Sequence, residues 1–243
     1  MSRAAKGGGM TNAPSPVLRP ALRRAILATA LFLLATAAHA AEPLPLVEVP
    51  ASGAASDTLV VFVSGDGGWA KLDKAVAKTL AADGMPVVGL NALQYFWKKR
   101  SPESTARDLE SVIDNYLTKW HKSRVILAGY SRGADVLPFV VNRLAPATRA
   151  KLRLVALLAP ATKVEFEFHM TDWLHDSSAG LPIKPEAASL APRPLLCVSG
   201  GDDDDSLCRG LAQPGAHVII LPGSHHFDGD YGKLAQLILG ELH

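Results

Sequence analysis

Residues 124–144 read RVILAGYSRGADVLPFVVNRL. Val125 to Ala128 make an uninterrupted apolar run, the pattern of a strand buried on both faces, and Val136, Leu137, Val140 and Leu144 then recur at helical spacing. Between strand and helix stands Gly129-Tyr130-Ser131-Arg132-Gly133, a small hydroxyl residue between two glycines. A serine at a sharp strand-to-helix turn projects its hydroxyl beyond the sheet edge, and the glycines permit the backbone to bend and approach closely there. The bland reading of Ser131 is a helix cap. The rest of the chain decides between the two.

Outward from this turn the same alternation repeats. TLVVFVSG (58–65), PVVGLN (86–91), LRLVALLAP (152–160), PLLCVSG (194–200) and HVIILPG (217–223) are further strand-like runs. Trp69, Leu72, Val76 and Leu80 fall at helical spacing, Ser101-Pro102-Glu103 is a helix start, and Leu109, Val112, Ile113, Tyr116, Leu117 and Trp120 continue its apolar stripe. A closing helix carries Tyr231, Leu234 and Leu237. The pattern predicts an α/β fold with a mostly parallel sheet covered by helices on both faces. Residues 161–191 break it: VEFEFHM (164–170) alternates with period two, and a polar, proline-containing stretch follows. An edge strand and a short cap or lid are expected there.

In such sheets, chemistry sits in the loops beyond the carboxyl ends of the strands. VSGDGGW follows the first of the runs, GYSRGAD the third, SGGDDDDSLC the fifth and PGSHHFDGDY the sixth. An α/β-hydrolase needs an oxyanion hole, a nucleophile, an acid and a histidine in that chain order. Ser131 is then the nucleophile, with an imidazole to take its proton and a carboxylate to hold the imidazole's tautomer. His226 is preferred over His225 as the base from its spacing after the Pro-Gly turn, and Asp203 is ranked ahead of Asp205 as the acid. The backbone amides of Asp66 and Arg132 are the expected oxyanion donors. Asp135, Trp69 and Asp228 are expected to contact substrate. A phosphate-cradling role for GDGG is disfavoured because the Lys-Ser/Thr of a P-loop is missing. His225, His226, Asp228 and Asp230 are a minor metal-site alternative; no metal and no cofactor are expected.

The chain has 243 residues, 48% of them hydrophobic, enough for one domain with its own core. Residues 1–40 stand apart: Arg3, Lys6, Arg19, Arg23 and Arg24 precede AILATALFLLATA and Ala38-His39-Ala40, the layout of a cleavable secretory signal peptide. A linker over 41–57 and a single domain over 58–243 follow. Removing the five leader cations leaves 20 basic against 23 acidic residues. That balance gives no basic face for nucleic acid. Cys197 and Cys208 are the only cysteines, and in an exported chain they are expected to pair across the acid loop, two buried thiols being the alternative.

VSGDGGWAKLDK, PVVGLNALQYFW, GYSRGADVLPFVVNRL and LPGSHHFDGDYGKLA together resemble the bacterial virulence protein family VirJ/AcvB, from about Thr58 to the end of the chain. The resemblance implies an α/β-hydrolase exported to the periplasm and associated with type IV secretion components. It also implies hydrolysis of an aminoacylated phospholipid, lysyl-phosphatidylglycerol, at a membrane surface. Ser131 matches the family's serine, and His225 and His226 its histidine motif. The all-aspartate acid loop departs from the mixture of glutamate and aspartate expected of the family. A lysyl ester is cationic, and Asp66, Asp73, Asp135, Asp228 and Asp230 stand in or near the loops, where acidic walls would favour such an acyl group. QYFWKKR (94–100) sets aromatics beside basic residues, a pattern that suits an anionic lipid surface. A hydrolase-derived binding factor and a generic ester or thioester hydrolase are the competing readings.

Overall fold

The computed structural model describes residues 43–167 and 180–242; the predicted signal peptide and part of the predicted cap lie outside them. In chain order the elements are β1 (Leu46–Val49), β2 (Thr58–Val63), α1 (Lys71–Ala82), β3 (Val87–Leu90), α2 (Ala92–Tyr95), α3 (Pro102–Lys119), β4 (Arg124–Tyr130), α4 (Arg132–Arg143), α5 (Pro146–Arg149) and β5 (Leu152–Leu158). They continue with β6 (Lys163–Val164), β7 (Leu181–Pro182), α6 (Lys184–Ala188), β8 (Leu195–Gly200), β9 (Ala216–Leu221) and α7 (Tyr231–Gly240). Seven strands form one sheet in the order β1-β3-β2-β4-β5-β8-β9. All neighbours pair in parallel except β1, which runs antiparallel to β3. This is the predicted parallel sheet with helices on both faces.

Alternation along each buried strand divides the core in two. Leu59, Val61, Val63, Leu127 and Val155 face α3 and α4, meeting Leu109, Ile113, Leu137 and Val140. Val60, Phe62, Ile126, Ala156 and Leu158 face the other way, onto Val76 and Leu80 of α1 and Leu234 and Ile238 of α7. Successive side chains of a strand point to opposite faces, so a continuous apolar run supplies both cores at once. The predicted start of α3 is present as a reciprocal cap: Ser101 Oγ accepts from Ser104 N at 3.1 Å and Ser104 Oγ from Ser101 N at 2.9 Å, with Pro102 at the first helical position.

Two stretches differ from the sequence pattern. The segment read as linker contains β1, whose four residues pair with β3 from Leu46↔Leu90 to Val49↔Val87. Among its described residues the alternating run VEFEFHM yields strand only at Val164, where β6 pairs with Leu181 and Pro182 of β7; Phe168 to Met170 lie outside the described residues. Phe166 turns inward instead, edge-on to Phe96 at 5.9 Å and Phe139 at 5.5 Å. Burying that ring fixes this segment over α2 and α4.

Candidate active site

The turn between β4 and α4 holds Ser131 at φ 52°, ψ −125°, a positive-φ conformation that costs a non-glycine residue about 1–3 kcal/mol. Surrounding bonds impose it. Ser131 N donates to the Leu158 carbonyl at 2.9 Å and its own carbonyl accepts from Asp135 N at 3.0 Å. Both flanking glycines are required by close approach. A Cβ on Gly129 would stand 2.5 Å from the Gly133 carbonyl, and one on Gly133 would stand 2.0 Å from the Val63 oxygen.

Ser131 Oγ lies 3.0 Å from His225 Nε2, and His225 Nδ1 lies 2.8 Å from Asp203 Oδ2. Asp203 is largely buried whereas His225 is partly open. The sequence preference between the two histidines is therefore reversed. His225 faces the serine, while His226 is exposed and its Nδ1 sits 2.8 Å from the Tyr130 hydroxyl. A tight turn, with Phe227 N donating to Ser224 O at 2.9 Å, sends the adjacent rings apart at 84° to each other. Tyr130 itself is buried, which holds its phenol above the usual range and keeps it protonated.

The acid loop is joined to the histidine loop by backbone. Gly201 N donates to Leu221 O at 2.7 Å and Asp202 N to Gly223 O at 3.0 Å. A Cβ on Gly200 would lie 2.3 Å from Ser224 O, so the two loops touch there. Cys197 of β8 and Cys208 are disulfide-bonded and both buried, closing the loop that carries Asp203. Asp205 is placed elsewhere: its Oδ1 accepts from Thr162 Oγ1 at 2.5 Å and Thr162 N at 3.3 Å. It anchors the segment entering β6.

On the opposite side of Ser131, Asp66 stands in the loop after β2, where Gly68 N donates to Gly65 O at 3.0 Å. Arg132 opens α4, so its amide belongs to the first turn, whose N–H groups have no intrahelical acceptors. Its side chain is the feature the sequence reading missed. The guanidinium forms a two-point ion pair with the Asp66 carboxylate and donates from Nη1 to the carbonyls of Glu165 at 2.6 Å and Glu167 at 3.1 Å. The signal was present as opposite charges in two loops required to meet.

The three residues expected to touch substrate are corrected. Trp69 packs edge-on to Phe62 at 5.9 Å and fills the space over Gly89, where a Cβ would lie 2.1 Å from the indole; it is half-buried against the core. Asp135 is 7% exposed and its Oδ1 accepts from Ala161 N at 2.7 Å. Burial pushes its carboxyl well above the ordinary range, against the partial offset of that bond and of Arg132. Asp228, at φ 51°, folds its carboxylate onto Gly223 within its own turn.

A pocket of about 210 Å³ adjoins the site, lined by Gly65, Gly68, Asp73, Tyr130, His226 and Tyr231 among others. Its Gly65 wall abuts the Ser131 turn, since a Cβ there would stand 3.3 Å from Ser131 Cβ. Asp73 is 1% exposed, accepts from Ala70 N at 2.8 Å, and leaves Oδ1 without a hydrogen-bond partner. Burial raises its carboxyl above the ordinary range. Among the described residues no group of three His, Cys, Asp or Glu side chains is placed to hold a metal ion.

The sequence model of the family described as "Bacterial virulence protein (VirJ)" matches residues 57–243. No curated protein matches the chain. Among solved structures, Est1E from Butyrivibrio proteoclasticus superposes with a TM-score of 0.59 at 15% identity, over 81% of this chain and 93% of that one. An alpha-beta serine hydrolase homologue from Coxiella burnetii gives 0.55 at 19% identity, over 82% and 91%. A proline iminopeptidase from Mycobacterium smegmatis gives 0.60 at 10% identity, over 82% and 93%. These likenesses establish the α/β-hydrolase fold.

Proposed function

The chain belongs to the VirJ family of bacterial virulence proteins, and from that premise we propose that it is a serine esterase whose reacting residues are Ser131, His225 and Asp203. One observation carries the reading: the unbroken relay from Ser131 Oγ through both nitrogens of His225 to Asp203 Oδ2, at 3.0 and 2.8 Å. Asp203 accepts from Nδ1–H and so leaves Nε2 free to take the serine proton. The serine oxygen then adds to the ester carbonyl, and the oxyanion faces the amides of Arg132 and Asp66. Protonated His225 returns the proton to the departing alcohol, and water cleaves the acyl-serine by the same relay. Every step is carried by side chains and backbone of the chain itself.

The substrate we assign is an aminoacyl ester of a phospholipid, with lysyl-phosphatidylglycerol first, and the site of action is periplasmic. Support for the substrate comes from the family resemblance. Its membrane setting is further supported by Trp97, 58% exposed, next to Lys98 and Lys99, while Tyr95 and Phe96 are buried. Export is supported by the Cys197–Cys208 bond, since disulfides persist in oxidising compartments. The carboxylates expected to form a wall for a cationic acyl group lend little. Asp66 is paired, Asp135 is buried, Asp228 closes its own turn, and Asp230 caps α7 by accepting from Lys233 N at 3.2 Å.

A fluorophosphonate should label Ser131 in the folded protein, and Ser131→Ala should abolish labelling and lower ester hydrolysis by about 10⁴-fold or more at unchanged melting temperature. Folded wild type that neither labels nor hydrolyses short-chain esters would overturn the esterase reading. A lipid assay by mass spectrometry, comparing lysyl- and alanyl-phosphatidylglycerol with simple esters, tests the substrate. Turnover of simple esters alone removes the lipid assignment. Secretion activity intact in Ser131→Ala would instead favour a docking role.

A further inference from the structure

A carboxylate in an oxyanion loop is an electrostatic liability. On the esterase reading the Asp66 amide donates to a developing negative charge, yet the side chain of the same residue is a carboxylate, 40% exposed. Left alone, it would oppose the oxyanion that its backbone is meant to stabilise. The Arg132 side chain is only 10% exposed and answers this from the residue next to the nucleophile. Nε and Nη2 occupy both carboxylate oxygens of Asp66, the second at 3.2 Å, while Nη1 is held by the carbonyls of Glu165 and Glu167. The guanidinium thus joins three parts of the chain: the loop after β2, the start of α4 and the segment after β6.

We propose that Arg132 is a positioning residue for the oxyanion hole, fixing the Asp66 loop against Ser131 and cancelling the Asp66 charge beside the reacting carbonyl. The planar fork matters as well as the charge. A lysine offers a point charge without two parallel donors, so it can neutralise Asp66 but cannot hold both carboxylate oxygens and two carbonyls. The catalytic half of this inference rests on the esterase reading; the structural half, immobilisation of the loop, does not.

The test uses wild type, Arg132→Gln, Arg132→Lys, Asp66→Asn and the double variant Asp66→Asn/Arg132→Gln, each confirmed folded by circular dichroism. With p-nitrophenyl acetate, Arg132→Gln should lower kcat on the order of 100-fold with KM nearly unchanged, the loss typical of one oxyanion donor. Affinity for a trifluoromethyl ketone, which forms a tetrahedral adduct with the serine, should fall in parallel. Arg132→Lys should recover part of the loss. The double variant should exceed Arg132→Gln in kcat, because removing the uncompensated carboxylate relieves the opposition; this non-additivity separates charge cancellation from simple support. Asp66→Asn, which keeps the arginine, should be the mildest single change.

Hydrogen–deuterium exchange of the peptide spanning 64–69 is read independently of turnover and should quicken several-fold in Arg132→Gln. Unchanged exchange overturns the clamp whether or not any ester is hydrolysed. Unchanged kcat and ketone affinity in an active enzyme overturn its catalytic consequence. Failure of wild type to label or hydrolyse strikes the esterase reading instead, and exchange still decides the clamp.

Discussion

The two walls of the site are built differently. On one side, Asp203 and His225 are fixed by main-chain hydrogen bonds between neighbouring loops and by a buried disulfide. On the other, the loop after β2 and residues 161–167 are tied down by polar and charged side chains: Arg132 to Asp66, Asp205 to Thr162, and the buried carboxyl of Asp135 to Ala161 N. The first wall is set by strand register and covalent closure, which neither salt nor pH near neutrality disturbs. The second depends on ionisation and on buried polar partners, where loss of one member strands the other. Asp203 and His225 thus belong to the rigid wall and the Asp66 loop to the electrostatic one.

The largest expected effect probes the rigid wall. Asp203→Asn should lower kcat about 10⁴-fold while leaving the fold intact, because the amide favours the wrong imidazole tautomer, and His225→Ala should be at least as damaging. Asp205→Asn and His226→Ala should cost far less in steady-state ester assays, since these residues touch Thr162 and Tyr130 rather than the relay. Equal losses across either pair would break the division of the acid and histidine loops drawn above.

Next is the disulfide. Replacing Cys197 and Cys208 by serine should destabilise the domain by about 3 kcal/mol on the chain-entropy view, as for a loop of roughly a dozen residues. Turnover should fall beyond the fraction unfolded, because the opened loop carries Asp203. Urea melts paired with activity at matched folded fraction check this. Activity that merely follows folding would make the bond a staple and nothing more.

The smallest effect belongs to the electrostatic wall. The folded carboxyl of Asp135 is raised above its ordinary 3.8 by burial, so the fold favours the neutral acid. Stability from this group is present at pH below the unfolded value and declines as pH rises through the raised one. Asp135→Asn should therefore flatten the pH dependence of the urea midpoint above pH 4, with its gain over wild type growing toward neutrality. Identical slopes in the two proteins would show that Asp135 does not titrate as its burial requires.

Much of the rigid wall was legible in the sequence, because short continuous apolar runs alternating with amphipathic helices mark strands buried on both faces, and their C-terminal loops follow by topology. Ser131 and Asp203 were read from that placement. The order of His225 and His226 was not, since adjacent residues in a tight turn diverge by an angle that spacing does not encode. Asp135 was misread because it sits in a first helical turn that sequence treats as surface, while tertiary packing buries it; Trp69, which also falls on the apolar stripe, is half-buried against the core. β1 was invisible because LVEV is four residues long and flanked by prolines. The Arg132 clamp needed a contact between residues 66 positions apart.

β1 also guards a border. Its antiparallel pairing covers the outer edge of β3, a wholly buried apolar strand, and Glu48 pins it by accepting from the Tyr116 hydroxyl at 2.6 Å and Lys119 Nζ at 2.7 Å. A chain trimmed beyond Val49 would bare a hydrophobic ribbon of unpaired amides and carbonyls, the template on which foreign strands add and aggregates grow. Proteolysis after Val49 would therefore leave Ser131, His225 and Asp203 untouched and still expose an edge on which copies of the chain add to one another.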